Sequence, residues 1–235
     1  MTERRRRVRP RSEKVTLSVA AFTDVAVGLL QREGAGAITL RRVAAELQTG
    51  PASVYGHVST MQELHELVLD RMLGTVDLRA DLADEPRSRV EGILDSYATM
   101  LLDHRGLADL ASGFIPHGEN ALALAEAVIG SLLRLGLSPG RAAWGYDLLM
   151  LRMTAAAAEQ DRWRDLDGTK TDAAAAFRDA DPLRYPNISR VRGHLFSGGR
   201  ARSAWAVEAI LAGIADAPDP AERMSRGGAP EFSGP

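Results

Sequence analysis

The sequence predicts an all-α fold, and three observations lead to that prediction. Apolar residues recur with the i, i+3, i+4 spacing of a helix along nearly all of the 235 residues. Alanine is abundant while aromatic residues make up only 5% of the chain, and this balance favours helix over sheet. Glycine and proline interrupt the apolar pattern at intervals, which is typical of helices joined by short loops.

Three helices are predicted within the first sixty residues. Apolar positions from Leu17 to Leu29 form one face of the first, and those from Leu40 to Leu47 form one face of the second. The break between them falls at residues 34–36. A third, short helix is predicted from Pro51 to about Val58, because proline suits the first helical position.

The rest of the chain is also predicted to be helical, apart from two stretches. Thr60 and Glu63 have capping-box spacing and predict the start of a connecting helix. Further helices are predicted after Pro86, through residues 122–133, from Ser138 to about 158, and from about Arg202 to Asp216. The polar stretch 159–181 is predicted to be a loop with one helical turn at 173–177. Residues 217–235 are rich in Pro, Gly and Ser and are predicted to be disordered.

Composition excludes several classes of function. The chain has no cysteine, so disulfides, thiolate metal sites and thiol nucleophiles are excluded. Met1 to Arg11 is basic but no apolar segment of a signal peptide follows it. No run of about 18 apolar residues occurs that could form a transmembrane helix. We therefore expect a cytoplasmic protein without a membrane partner.

Charge is distributed unevenly, although the net charge is only −2. Residues 1–60 carry ten Lys or Arg and five Asp or Glu, whereas residues 61–235 carry nineteen and twenty-six. A basic end on an acidic body suits a protein that places one end against a polyanion. The basic end is therefore the candidate contact surface for nucleic acid.

Residues 38–58 predict a helix-turn-helix. Ala44 is small where the two helices cross, and Val54 follows ten residues later, where the second helix turns an apolar face back onto the first. The outward face of that second helix carries Pro51, Ala52, Ser53, Tyr55, Gly56 and His57. In a helix-turn-helix, this face enters the major groove of double-stranded DNA.

The head is similar to that of the TetR family of bacterial repressors. The similarity lies in Thr39-Leu40-Arg41-Arg42-Val43-Ala44 and Tyr55-Gly56-His57-Val58, and it extends over about residues 15–70. The body resembles the tetracycline-repressor branch more loosely, through Leu101-Leu102-Asp103-His104-Arg105 and Leu135-Gly136-Leu137-Ser138. We accordingly expect a flexible basic arm (1–14), a three-helix DNA-binding domain (15–65), an all-helical ligand-binding and dimerisation domain (66–216) and a disordered tail (217–235).

The resemblance implies roles for individual head residues. Arg41 and residues 51–53 are expected to read base edges, while Thr39, Tyr55 and His57 contact phosphates or nearby bases. A bidentate arginine–guanine contact is worth about 1–3 kcal/mol of discrimination, and hydroxyl groups donate well to phosphate. The alternative for Tyr55 is that it packs inside the head.

Three features depart from the family pattern. Gln48 stands where the family turn usually has glycine, and a left-handed backbone there costs about 1 kcal/mol. Ser59 and Met61 stand where lysines are common, which weakens DNA affinity. The arginines of the arm, among them Arg5, Arg6 and Arg7, are expected to compensate by following the DNA backbone or entering a minor groove. The alternative is that the arm is only a solvated tail.

In the body, the resemblance implies a homodimer and an effector pocket. The helix from Ser138 and the helix ending at Asp216 are expected to pair with those of a second copy. The expected pocket residues are Tyr97, Met100, Pro116, His117, Trp144 and Asp147. Asp77 stands near the place of a histidine that would help bind a tetracycline–metal complex, so we expect an apolar or aromatic effector and neither a metal nor a cofactor.

These inferences predict a repressor that a small molecule releases from a palindromic operator. One alternative is a helical DNA-binding regulator controlled by a protein partner, and activation instead of repression is also left open. An all-helical enzyme is the third reading. It has little support, because the five histidines are scattered and no HExxH, Walker or GxSxG motif occurs.

Overall fold

The computed structural model describes residues 17–50, 53, 56–79, 85–165 and 169–226, which fold into helices without any strand. This confirms the predicted fold class. The helices are α1 (Val19–Glu33), α2 (Leu40–Glu46), α3 (Met61–Leu73), α4 (Pro86–Asp103), α5 (Leu107–Ala111), α6 (Glu119–Arg134), α7 (Pro139–Asp165), α8 (Thr169–Arg178), α9 (Pro186–Val191), α10 (Gly199–Asp216) and α11 (Pro220–Arg226). A short 3₁₀ turn, Ala35–Ala37, follows α1.

Side-chain caps begin the helices of the head. The hydroxyl oxygens of Ser18, Thr39 and Thr60 accept hydrogen bonds from backbone N–H groups three residues later, at 3.0–3.2 Å. Each bond satisfies a donor that the first helical turn leaves without a partner. The helix start that the capping-box pattern predicts at Thr60 is therefore confirmed.

One continuous hydrophobic core joins the head to the body. Phe22 and Leu29 of α1 and Leu64 and Val68 of α3 are fully buried, and the same cluster continues into α4, α6 and α7. Helix α3 packs on α1 at one side and on α6 at the other. The connecting helix consequently belongs to the packing of both regions.

The predicted loop at 159–181 is wrong for most of its length, because α7 continues to Asp165 and α8 follows at Thr169–Arg178. The charged side chains that indicated a loop instead bind neighbouring backbone and carboxylate groups. Arg162 lies 2.8 Å from Asp109, and Arg164 donates to the Leu102 carbonyl at 2.8 Å. The charged side chains in this stretch therefore form contacts between helices.

The predicted disorder of the tail does not hold for residues 217–226, since α11 occupies Pro220–Arg226. Asp219 accepts hydrogen bonds from the Ser138 hydroxyl and from the Ala221 N–H. These bonds lower the pKa of the Asp219 carboxyl below its ordinary value, and they attach the tail to the start of α7. Proline at the first position of α11 is compatible with a helix.

Helices α8 and α9 lie largely outside the core. Most side chains between 172 and 198 are exposed, and Phe177 packs on Phe196 edge to face, with ring centroids 5.3 Å apart.

None of the helices in the described part of the chain has the length and apolar character that a membrane span requires.

Candidate DNA-binding interface

The amino end of α2 presents a hydroxyl group and a guanidinium group to solvent. Thr39 caps the helix by accepting from the Arg42 N–H at 3.2 Å, and its side chain is exposed. Because the cap uses the oxygen as an acceptor, the hydroxyl proton stays free to donate to a phosphate. Arg41, two residues later in the first turn, is also exposed.

The two adjacent arginines of α2 have different surroundings. Arg42 donates to both carboxylate oxygens of Glu33, at 2.7 and 2.6 Å, and joins α2 to α1. This hydrogen bonding lowers the pKa of Glu33 and raises the pKa of Arg42. Arg41 forms no hydrogen bond or ion pair through its side chain with any residue that the structure describes. Of the two, Arg41 is the one available to DNA.

The turn after α2 is built on a left-handed residue. Gln48 has φ 52°. The N–H of Gln48 bonds the Ala45 carbonyl at 3.0 Å, and the N–H of Thr49 bonds the Ala44 carbonyl at 2.9 Å. This is the Schellman pattern, in which glycine is preferred at the position that Gln48 holds. The backbone strain expected from the sequence is therefore present.

The recognition segment, residues 51–58, is only partly described. Pro51, Ala52 and Tyr55 lie outside the described residues, as do Arg5, Arg6 and Arg7 of the arm. Ser53 is helical and half-buried, Gly56 and His57 are exposed, and Val58 is buried. The segment begins with a bond from the Ser53 N–H to the Gly50 carbonyl at 3.0 Å.

His57 contacts the head as well as solvent. Its ring lies against the fully buried ring of Phe22, with centroids 5.4 Å apart and a tilt of 39°. This packing fixes the end of the recognition segment on α1. A phosphate contact by His57 stays a prediction.

The start of α3 carries no cation. The Glu63 carboxylate accepts from the Ser59 N–H at 2.6 Å and completes the cap around Thr60. The sequence has no Lys or Arg between Arg42 and Arg71, and Arg71 pairs with Asp24 at 2.7 Å. Ser59 and Met61 therefore leave this helix end without side-chain charge for phosphate.

The positive charge of the head lies almost entirely in its first sixteen residues. Between residues 17 and 60 there are three arginines and three carboxylates, so this folded part is neutral. Residues 1–16 carry seven Lys or Arg and two Glu, which accounts for the whole excess of five. The net positive charge that the head can offer to a polyanion therefore lies in residues 1–16.

The six predicted effector residues lie in different environments. Tyr97 and Met100 of α4 are buried, and the Tyr97 hydroxyl lies 2.7 Å from the Thr154 hydroxyl of α7. Burial raises the pKa of Tyr97. Pro116 and His117 are exposed in the loop before α6, and Trp144 and Asp147 are exposed on α7. Of the six, only Tyr97 and Met100 are buried together in the body. Ligand contact by all six stays a prediction.

An exposed apolar stripe runs along the outer face of the body. On α7, Trp144, Leu148 and Leu151 are 53%, 45% and 64% exposed, and Trp205 of the adjacent α10 is 67% exposed. The first three follow helical spacing, so they share one face. Sequence reasoning assigned Trp144 to the pocket and expected both helices to pair with a second copy, but it did not name Leu148 and Leu151 as surface residues. The signal that could have found them is their helical spacing from Trp144.

Two cavities flank the junction between head and body. The first, of about 380 Å³, is lined by Ala35, Gln62, His65, Asp109, Leu110, Gly113 and Phe114. The second, of about 320 Å³, is lined by residues 33–36, 105, 106, 109, 161 and 162. Partial burial lowers the pKa of His65. No group of three His, Asp or Glu among the described residues could hold a metal ion.

Comparison with known proteins covers both regions of the chain. A family model described as tetracyclin repressor-like, C-terminal domain, matches residues 83–217. An HTH-type transcriptional regulator of Saccharopolyspora erythraea is 31% identical over 186 residues, which are 75% of each chain.

Solved structures from Streptomyces coelicolor are similar in both sequence and fold. A transcription regulator is 37% identical, with a TM-score of 0.73, over 88% of this chain and 98% of that chain. The protein ActR, solved in complex with actinorhodin, is 31% identical, with a TM-score of 0.76, over 85% of this chain and 95% of that chain.

Proposed function

The chain belongs to the TetR family of transcriptional regulators, and we propose that it is a repressor that binds a palindromic operator as a homodimer and leaves it when a small molecule binds the body. The proposal includes no catalytic step. The observation that carries it is the amino end of α2, where Arg41 and the Thr39 hydroxyl are exposed beside the recognition segment.

Arg41 is proposed to read a base and Thr39 to bind a phosphate. Arg41 has no partner among the described residues, so it gives up no such ion pair when it reaches O6 and N7 of guanine, whereas Arg42 must first leave Glu33. Residues 51–53, Tyr55 and His57 complete the proposed contact surface, and the arginines of the arm supply the remaining attraction to phosphate.

The exposed stripe of α7 and α10 supports the homodimer. The three exposed apolar side chains on one face of α7, with exposed Trp205 on the adjacent α10, are costly to leave in water, and a second copy of the same surface covers them symmetrically. Pairing two helices from each protomer gives a four-helix bundle. A different protein on this stripe is the competing proposal. Sedimentation of the purified chain alone separates them, since only the homodimer forms without another component.

The proposed effector is an apolar or aromatic small molecule. ActR, which is 31% identical over most of both chains, was solved with actinorhodin. In the present chain Tyr97 and Met100 are buried, and the Tyr97 hydroxyl lies 2.7 Å from that of Thr154. A ligand admitted between α4 and α7 would therefore meet mainly apolar side chains and one hydroxyl group, which suits an aromatic molecule with a few polar substituents.

The proposal is tested by selecting bound duplexes from a random DNA pool and then titrating the winning complex with aromatic compounds, actinorhodin among them. The expected results are a palindromic motif and release of the DNA by at least one compound. Failure to enrich any motif would refute sequence-specific binding. An enriched motif without inverted symmetry would refute the homodimer on DNA, and retention of the DNA throughout a broad panel would refute control by this ligand class.

A further inference from the structure

Besides α3, the head touches the body through a contact made of Gly34, Ala35, Arg105, Gly106 and Asp161, which we name the junction clamp. We infer that Asp161 is a positioning residue that sets the angle of the head through this clamp, and thereby the spacing of the two heads on DNA. The inference rests on the proposed function, because it concerns how a dimer matches its operator.

The clamp brings two backbones into direct contact. The Ala35 N–H donates to the Arg105 carbonyl at 2.8 Å. A Cβ on Gly34 would lie 2.9 Å from that carbonyl oxygen, and a Cβ on Gly106 would lie 3.1 Å from the Ala35 Cβ. Both glycines also have positive φ, at 89° and 77°. Glycine is therefore required on each side of the contact for two reasons, conformation and space.

Asp161 holds the body side of the clamp. One oxygen of its carboxylate accepts from the Gly106 N–H at 2.5 Å, although the two residues are 55 apart in sequence. The side chain is 5% exposed, and its other oxygen lies 3.6 Å from the Arg164 guanidinium. The same end of α7 holds the rest of this segment, because Arg162 binds Asp109 and Arg164 binds the Leu102 carbonyl.

The burial of Asp161 is costly for the folded protein. Among the described residues its second carboxylate oxygen has no hydrogen bond, and a buried charge without full hydrogen bonding destabilises the fold. An apolar side chain at this place could pack against the segment but could not accept from the Gly106 N–H. The carboxylate therefore fixes one backbone position at the expense of stability.

The surroundings of the clamp give this position control over the head. The two junction cavities adjoin the clamp and share Ala35 and Asp109, so the direct contact between the two backbones, more than surrounding side chains, fixes the head there. Asp161 also lies on α7, whose outer face carries the apolar stripe proposed for dimerisation. The proposed dimer face and the residue that holds Gly106 therefore share one helix.

The test measures the distance between the two heads of the dimer. Because the chain has no cysteine, Gln31→Cys on the exposed face of α1 places one spin label on each protomer. We expect a narrow distance distribution for the otherwise unchanged protein and a broader one for Asp161→Ala. Operator affinity is expected to fall about tenfold, because a smaller share of dimers has the matching spacing.

Three variants complete the test. Asp161→Asn keeps an acceptor for the Gly106 N–H and is expected to keep the narrow distribution, as is the matched control Asp103→Ala at an exposed carboxylate. If Asp161→Ala does not fold by circular dichroism, Gly106→Ala replaces it, since its methyl group pushes directly on Ala35. A broad distribution for Asp161→Asn would overturn the role of the acceptor.

Two further results would overturn the inference. One is an unchanged distribution of head-to-head distances in Asp161→Ala, or in Gly106→Ala where it replaces that variant. The other is a broader distribution without loss of operator affinity. Neither is confused with failure of the proposed function, because in that case the unmutated protein itself would bind no selected duplex.

Discussion

The α2 region of the head and the body hold their functional side chains by contacts of different range, whereas His57 rests on the more distant Phe22. In the head, Thr39 is fixed by a bond to a residue three positions later, and the turn at Gln48 is closed by bonds within five residues. In the body, Tyr97 meets Thr154 and Gly106 meets Asp161, across 57 and 55 residues. The head can therefore keep its contact surface while it moves as a unit, whereas the body cannot shift one helix without changing another.

The largest effect is expected from breaking the dimer face of the body. Leu148→Glu places a charge in the apolar stripe, and Leu148 is exposed enough for the single chain to stay folded. We expect a monomer in sedimentation and a loss of operator affinity of about a hundredfold or more, since one head then binds alone. The control is Leu122→Glu, an exposed leucine on α6, which is expected to leave a dimer. If the Leu148→Glu protein remained a dimer, the stripe would not be the dimer interface.

Deleting residues 2–11 tests where the charge of the head acts. The deletion removes six arginines, while residues 17–60 stay neutral. We expect operator affinity at low salt to fall by at least about tenfold, and the slope of log K against log salt to flatten by about 0.9 for each lost phosphate contact. Binding isotherms at several salt concentrations give both numbers. Equal slopes for the two proteins would show that the arm stays off the DNA.

Arg41→Ala and Arg42→Ala separate reading of bases from support of the fold. Loss of Arg41 is expected to weaken operator binding about tenfold or more and to relax preference at one base pair. Loss of Arg42 breaks the pair with Glu33, so it is expected to lower the melting temperature slightly and change DNA affinity little. Competition binding with single-base operator variants measures the first effect. The reverse pattern would exchange the roles of the two arginines.

Gln48→Gly is expected to raise the free energy of unfolding by about 1 kcal/mol, because glycine adopts the positive φ of this turn without strain. Denaturant titration measures the change. The control is Gln31→Gly inside α1, which is expected to lower stability by a similar amount, about 1 kcal/mol. If both glycine variants lost stability, the strain at Gln48 would have to be compensated elsewhere in the turn.

The smallest effect concerns His65, whose pKa burial lowers from its ordinary value of 6.5. As the pH falls through that value, the unfolded chain takes up a proton more readily than the folded protein, so stability falls until His65 is also protonated in the folded state. Thermal melting between about pH 8 and about pH 5 is expected to show a shallower fall for His65→Gln. Identical melting curves for the unmutated protein and His65→Gln would show that burial does not lower the pKa of His65.

The difference in range also explains what the sequence could predict. The helix-turn-helix, the Thr60 cap and the unusual turn at Gln48 depend on residues a few positions apart, so local patterns were sufficient. The polar run around Asp161 and Arg162 predicts a loop when only neighbouring residues are considered, because its partners at Gly106 and Asp109 lie more than fifty residues away. No local spacing encodes such contacts.

The surface position of Trp144 is also something that local sequence patterns do not predict. Its apolar side chain and its place on a long helix were compatible with a pocket wall and with a subunit interface, and only the packing of α7 on α10 shows that it points outward. Residue type alone does not distinguish an apolar side chain in the core from one on a face that a second copy covers.

The most direct test of the central claim, a dimer whose two heads read one palindrome, is to change the spacing of the half-sites. Inserting about five base pairs at the centre of the selected operator turns one half-site to the opposite side of the duplex. The dimer is then expected to bind no better than it binds a single half-site, about a hundredfold or more below the intact operator. Equal affinity for the intact and the expanded operator would contradict the claim, since the heads would then be acting independently.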